Sequence, residues 1–105
     1  MTLKFASLGS GSQGNGLVVV SDEAKILLDC GFSIKETERR LERLHIDPVT
    51  IDSILVTHEH GDHVGGVAGF SHKYSIPVYC TQGTLLASPS LEGQLSVELI
   101  QGYAR

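Results

Sequence analysis

The sequence predicts an α/β layered domain, and three observations lead there. Residues 2–30 carry two short β-branched or apolar runs joined by a tight polar turn, the mark of a hairpin. After them, helical and extended patterns alternate as strand, helix, strand and helix, the order that builds a sheet with helices packed against it. The chain is 105 residues long, with 41% hydrophobic and 19% charged residues, enough for one small domain and no second one.

Taken in order, "TLKFASL" (2–8) reads as a first strand with alternating apolar Leu3 and Phe5. "GSGSQGNG" (9–16) is a loop of glycine, serine and asparagine, and "LVVVS" (17–21) is a β-branched strand. "DEA" turns the chain into a further apolar run, "KILLDC" (25–30). Ser33 then opens a helix with the spacing of a capping box, Ser33 to Glu36. Ile34, Leu41 and Leu44 recur on its apolar side, and Lys35, Glu36, Glu38, Arg39, Arg40 and Glu42 form its wet side. The "DP" at 47–48 stops it.

"SILVT" (53–57) is a buried strand, followed by a helix over about 63–74 whose Gly65, Gly66 and Gly69 suit close packing better than helix propensity. "IPVYC" (76–80) is another strand. Thr81 is placed to cap a short helix over "QGTLLA", and a weaker strand, "LSVELIQ", comes last.

The formal net charge is −4, so no basic surface marks this segment as a non-specific nucleic-acid binder. No run reaches the roughly 18 apolar residues a membrane span needs, and the expectation is a protein with no membrane partner. "MTLKFASLGSGS" lacks the apolar core of a signal peptide. Cys30 and Cys80 each follow an apolar stretch without CxxC spacing, and read as two buried thiols in a reducing compartment. A cytoplasmic location is expected.

"GSGSQG" fits GxGxxG through Gly9, Gly11 and Gly14, and Asp29 follows Gly9 by 20 residues, as in a dinucleotide-binding fingerprint. That site needs a helix to start at the third glycine and aim its N-terminus at a pyrophosphate. Here "NGLVVVSDEAKILLD" reads as a hairpin instead, so the glycine segment is a loop between strands. Its backbone N–H groups and Ser10 or Ser12 could still face an active site.

The residues that carry chemistry lie in "ILVTHEHGDHVGG" (54–66): three of the chain's five histidines fall within six positions. In an extended segment His58 and His60 project to one side and can share a metal ion. Asp62 and His63 follow in the turn toward the next helix and can face a second one. Neutral imidazoles with a carboxylate suit zinc, manganese or iron rather than calcium or magnesium. Glu59 alternates with the two histidines and points away. The HExxH motif of helical zinc proteases fails, because Asp62 stands where its second histidine belongs. His45 and His72 are single histidines on helix flanks and are not read as ligands.

"THEHGDH" resembles the HxHxDH motif of the metallo-β-lactamase superfamily, and Asp29 in "LLDCG" is similar to the acid its members carry after their early hairpin. "FASLGSGSQGNG", "LLDCGFSIKETERRL", "ILVTHEHGDHVGGV" and "YSIPVYCTQGTL" resemble the bacterial YycJ-like branch, whose members look like phosphodiesterases and exonucleases. The resemblance runs from residue 3 to about 86.

It implies that residues 1–105 form the N-terminal half of a four-layered αββα fold with a mixed sheet flanked by helices. By the same resemblance His58 and His60 bind a first divalent ion, and Asp62 and His63 a second, zinc being expected and manganese or iron possible. Asp62 is then also the catalytic carboxylate, and Asp29 supports the metal-binding loop by hydrogen bonds.

The implied activity is hydrolysis through a metal-bound hydroxide, of nucleic acid or a small phosphodiester, with a thioester or lactone as the alternative substrate. The family also uses a later histidine for the first metal, a bridging aspartate and a last histidine. This chain has no histidine after His72 and no aspartate after Asp62. By itself it is therefore expected to be a catalytically incomplete metal-binding fragment.

Overall fold

The computed structural model describes residues 3–11, 14–57, 65–80 and 97–99. These residues form six strands: β1 (Leu3–Gly9), β2 (Gly16–Ser21), β3 (Lys25–Leu28), β4 (Ser53–Leu55), β5 (Val78–Cys80) and β6 (Val97–Leu99). Among the described residues two α-helices join them, α1 (Ile34–Arg43) and α2 (Val67–Tyr74), and a 3-10 turn covers Pro48–Thr50. The strands lie in one sheet in sequence order. β1, β2 and β3 pair antiparallel, whereas β3–β4, β4–β5 and β5–β6 are parallel. The predicted α/β fold with a mixed sheet is the one observed.

The hairpin turn between β2 and β3 is built by Ser21, whose hydroxyl accepts from the amides of Glu23 and Ala24 at 3.2 and 3.0 Å. Helix α1 starts where the capping pattern places it. Ser33 is extended (φ −62°, ψ 165°) and its hydroxyl accepts from the Glu36 amide at 3.2 Å. The Glu36 carboxylate turns to Arg39 and Arg40 instead, at 2.6 and 2.7 Å. Half of the capping box is thus realised, and the other half gives way to ion pairs along the helix.

Helices α1 and α2 connect successive parallel strands and lie side by side. The Glu38 carboxylate of α1 accepts from Lys73 Nζ of α2 at 2.6 Å and from the Tyr74 hydroxyl. Beneath them Val18, Leu27, Ile54 and Val78 stand in one cross-strand row, each at most 1% exposed. Leu41 and Phe70 close over this row from the helices. Leu17, Leu28, Leu55 and Tyr79 form the neighbouring row on the opposite sheet face, and none of them is fully buried. The alternation puts apolar side chains on both faces, the pattern of a sheet that packs on two sides.

Several expected boundaries shift. β3 ends at Leu28, not Cys30, because Asp29 adopts a left-handed conformation (φ 66°) that breaks the pleat. β4 stops at Leu55, and β5 starts at Val78 because Pro77 has no amide to give the ladder. Helix α2 begins at Val67 rather than near 63, since Gly65 and Gly66 form a turn ahead of it. Leu44 is 37% exposed and caps the C-terminus of α1, so the buried stripe runs through Thr37 and Leu41. The chain leaves α1 through His45 at φ 60°, two residues before the "DP" pair, whose aspartate caps the 3-10 turn. The helix expected after Thr81 lies outside the described residues.

Candidate functional site

Asp29 is the organising residue at the carboxyl ends of the parallel strands. Its amide donates to the Leu55 carbonyl at 2.8 Å, which continues the β3–β4 pairing by one more bond. Its side chain, 7% exposed, turns across to Thr57. Oδ1 accepts from the Thr57 amide at 2.7 Å and Oδ2 from the Thr57 hydroxyl at 2.5 Å. Short bonds to a carboxylate are strong ones, and two from one residue fix its direction as well as its position. Thr57 is the last described residue before His58.

The candidate ligands His58, His60, Asp62 and His63 fall in residues 58–64, outside the described residues, but both flanks of that segment are described. It leaves the sheet from the carboxyl end of β4, the side on which open α/β sheets bind their ligands. Its far flank returns to the same place. The Gly66 amide donates to the Cys30 carbonyl at 2.8 Å, and the Gly66 carbonyl accepts from Phe70 in the first turn of α2. Both ends of the histidine segment are therefore tied to residues 29–32. Among the described residues, no three histidine, cysteine, aspartate or glutamate side chains come close enough together to hold a metal.

The glycine segment meets residues 29–32 from another side. The Gly31 amide donates to the Asn15 carbonyl at 3.0 Å, and the Asn15 side chain bonds Gly11 in both directions at 3.1 and 2.9 Å. A Cβ at Gly14, whose φ is 155°, would lie 2.5 Å from the Phe32 ring. That ring also carries Arg40 over its face, with the guanidinium carbon 4.1 Å from the centroid. Arg40 also donates to the Leu8 carbonyl and pairs with Glu36. Because Gly16 already lies in β2, no helix starts at Gly14, and the dinucleotide fingerprint has no structural counterpart.

The two cysteines are free and buried, as the sequence reading expected. Burial pushes the Cys30 thiol up, against smaller opposing effects of its bonds to Thr37 and the Phe32 carbonyl, and burial also raises Cys80. Both are held as neutral thiols, poor metal ligands and poor nucleophiles. A surface recess between α1 and Tyr74, lined by Lys35, Glu38, Glu42 and His45, lies in the helix layer and mixes both charge signs. No described side chain in the interior has a polar atom without a partner.

Sequence reasoning found Asp29 and the close packing of Gly66, without its partner, and missed Phe32, Thr57 and Arg40. The threonine directly before the first histidine and the glycine pair that follows His63 after one valine were the available signals. Phe32 and Arg40 had none, because only the fold brings them to the glycine segment.

At the carboxyl edge of its parallel strands the chain thus sets a buried aspartate that grips the strand end beside a histidine-rich segment anchored at both flanks. The profile of the metallo-beta-lactamase superfamily matches residues 9–103, and the chain belongs to that superfamily. It is 41% identical over 98 residues to the exodeoxyribonuclease YycJ of Bacillus anthracis, an alignment covering 93% of this chain and 37% of that protein. A ribonuclease of Thermus thermophilus is 39% identical over 75 residues, covering 70% of this chain and 17% of the relative. Among solved structures, MEM-A1, a subclass B3 metallo-beta-lactamase from a soil metagenome library, shares the fold with a TM-score of 0.72 at 19% identity. That match covers 92% of this chain and 43% of the enzyme. The chain spans about a third of the length of its exodeoxyribonuclease relatives.

Proposed function

We propose that this chain forms the N-terminal part of a metal-dependent hydrolase acting on nucleic-acid phosphodiesters. The observation that carries the proposal is the anchoring of the histidine segment at both flanks by residues 29–32, at the carboxyl edge of the parallel strands. The donor set in that segment, three imidazoles and a carboxylate, fits two zinc ions and accommodates manganese or iron. When bound, such ions make water nucleophilic near neutral pH and offset the charge that grows on a phosphoryl group.

In this reading His58 and His60 hold one ion, Asp62 and His63 the other, and Asp62 must be ionised to do so. Asp29 is not a ligand in this reading. It fixes where the segment begins through Thr57, the kind of outer support that sets ligand direction. The nucleic-acid preference rests on the relatives at about 40% identity, which are nucleases by name. A cytoplasmic site of action belongs to the same proposal.

The test is the full-length protein with added zinc or manganese, offered bis-p-nitrophenyl phosphate, single-stranded DNA, RNA, a thioester and a lactone. Cleavage of the phosphodiesters is expected. Cleavage of the thioester or lactone alone would overturn the substrate assignment and leave the hydrolase.

A further inference from the structure

We propose that Gly66 is a positioning residue for the histidine segment, acting as the counterpart of the Asp29–Thr57 contact at its other end. The inference rests on the metal-binding reading above and deepens it. Seven residues, 58–64, run between Thr57 and the Gly65–Gly66 turn. So few residues between two held points depend on where those points are fixed and in which direction the chain leaves them.

The first end is fixed by the two bonds from Thr57 to Asp29. The second is fixed by contact with the very next residues, Cys30 to Phe32. The Gly66 amide donates to the Cys30 carbonyl at 2.8 Å, and a Cβ built on Gly66 would stand 1.9 Å from the Phe32 carbonyl oxygen. It would also stand 3.0 Å from the Phe32 carbonyl carbon and 3.2 Å from the Cys30 oxygen. All three are main-chain atoms, so no side chain can rotate away. Any residue but glycine must push the two segments apart by more than an ångström.

Gly66 φ is −105°, which every residue type adopts, so the requirement is one of space and not of backbone conformation. Gly69, three residues on, makes a useful contrast. A Cβ there would meet the Ile34 side-chain tip at 3.1 Å, and that tip can move. The glycine demanded by packing is thus the one touching residues 29–32. Those same residues also receive the glycine segment through Gly31 and Phe32. One short stretch sets the span of the histidine segment and the seat of the glycine loop together.

The experiment compares Gly66→Ala, Gly69→Ala, Thr57→Val and Thr57→Ser in the full-length protein. Cobalt(II) binding is followed by its visible d–d absorption, and folding by thermal melting. Gly66→Ala and Thr57→Val should weaken cobalt binding about ten- to a hundredfold and alter the band shape, as loss of outer support does. Thr57→Ser, which keeps the hydroxyl, should restore both, and Gly69→Ala should bind as the parent does. If Gly66→Ala does not fold, the valine–serine pair still reads the other end of the same clamp. Unchanged cobalt affinity and spectrum in Gly66→Ala, or equal loss in Thr57→Ser and Thr57→Val, overturns the positioning role. A parent protein that binds no cobalt overturns the metal reading itself, and the positioning role with it.

Discussion

Thr57 and Asp29 are joined twice, amide to Oδ1 at 2.7 Å and hydroxyl to Oδ2 at 2.5 Å, although 28 residues separate them. The contact is made across the carboxyl ends of two adjacent parallel strands, and Asp29 reaches it from a left-handed backbone at φ 66°. Aspartate and asparagine tolerate that conformation better than most residues. The aspartate therefore serves two needs at one position, ending β3 and holding the strand that precedes the histidines.

Asp29→Asn should consequently be milder than Asp29→Ala. Asparagine keeps the backbone and one acceptor for the Thr57 amide, whereas alanine removes both acceptors that hold Thr57 and is itself strained in the left-handed conformation. We expect about 1 kcal/mol lost for the first and about 2–4 kcal/mol for the second, read from urea unfolding. Equal losses would show that the carboxylate pairing contributes little beyond the turn.

His58→Ala in the full-length protein should abolish phosphodiester hydrolysis while shifting the unfolding midpoint little. A metal ligand contributes to the cation's hold rather than to the core, which holds the row of Val18, Leu27, Ile54 and Val78. Activity surviving within a few-fold would remove His58 from the ligand set.

The link between the two helices should be sensitive to acid. Bonds from Lys73 and then Tyr74 hold the Glu38 carboxyl below its ordinary value, and bonds from Arg39 and then Arg40 do the same for Glu36. A carboxylate depressed in the folded state stabilises the protein above its unfolded pKa of about 4.3, and that contribution fades as pH falls through the lower folded value. The urea midpoint should therefore drop as pH falls below about 5, and Glu38→Gln with Glu36→Gln should flatten that slope. An unchanged slope in the double variant would place the acid sensitivity elsewhere.

Arg40→Lys should loosen the glycine segment without unfolding the sheet. Lysine cannot both stack on Phe32 and fork between Glu36 and the Leu8 carbonyl. Faster amide exchange at Gly31, whose proton goes to Asn15, is the expected sign, with β3 and β4 amides unchanged. Equal protection at Gly31 would show that Phe32 seats the loop unaided.

What could be read from the sequence follows from how local each feature is. The hairpin, α1 and the β4 edge were legible because valine runs, the Ser33 cap and a short apolar run are written in neighbouring residues. The end of β3 was not, since "KILLDC" looks continuous until Asp29 turns away to meet Thr57. The start of α2 was misjudged for a related reason: Gly66 is glycine because of Phe32, 34 residues earlier, and nothing beside it says so. At the site, the candidate ligands stand together in "THEHGDH", while the Asp29–Thr57 and Gly66–Cys30 contacts at the two flanks of that segment exist only in the tertiary structure.

The 105-residue chain by itself should bind zinc or manganese weakly and turn over no phosphodiester at a useful rate. The proposed assignment gives each ion two protein ligands, His58 with His60 and Asp62 with His63, whereas catalytic zinc sites commonly use three. No aspartate follows Asp62 and no histidine follows His72, so this chain has no later residue of either type to complete the sites. The sheet face carrying Leu17, Leu28, Leu55 and Tyr79 should also promote self-association, as large apolar patches do. Calorimetric metal titration, sedimentation and a bis-p-nitrophenyl phosphate assay on the purified chain test the three expectations together. Tight binding of two ions with turnover would mean that these residues suffice, with the missing ligands supplied across an interface between copies.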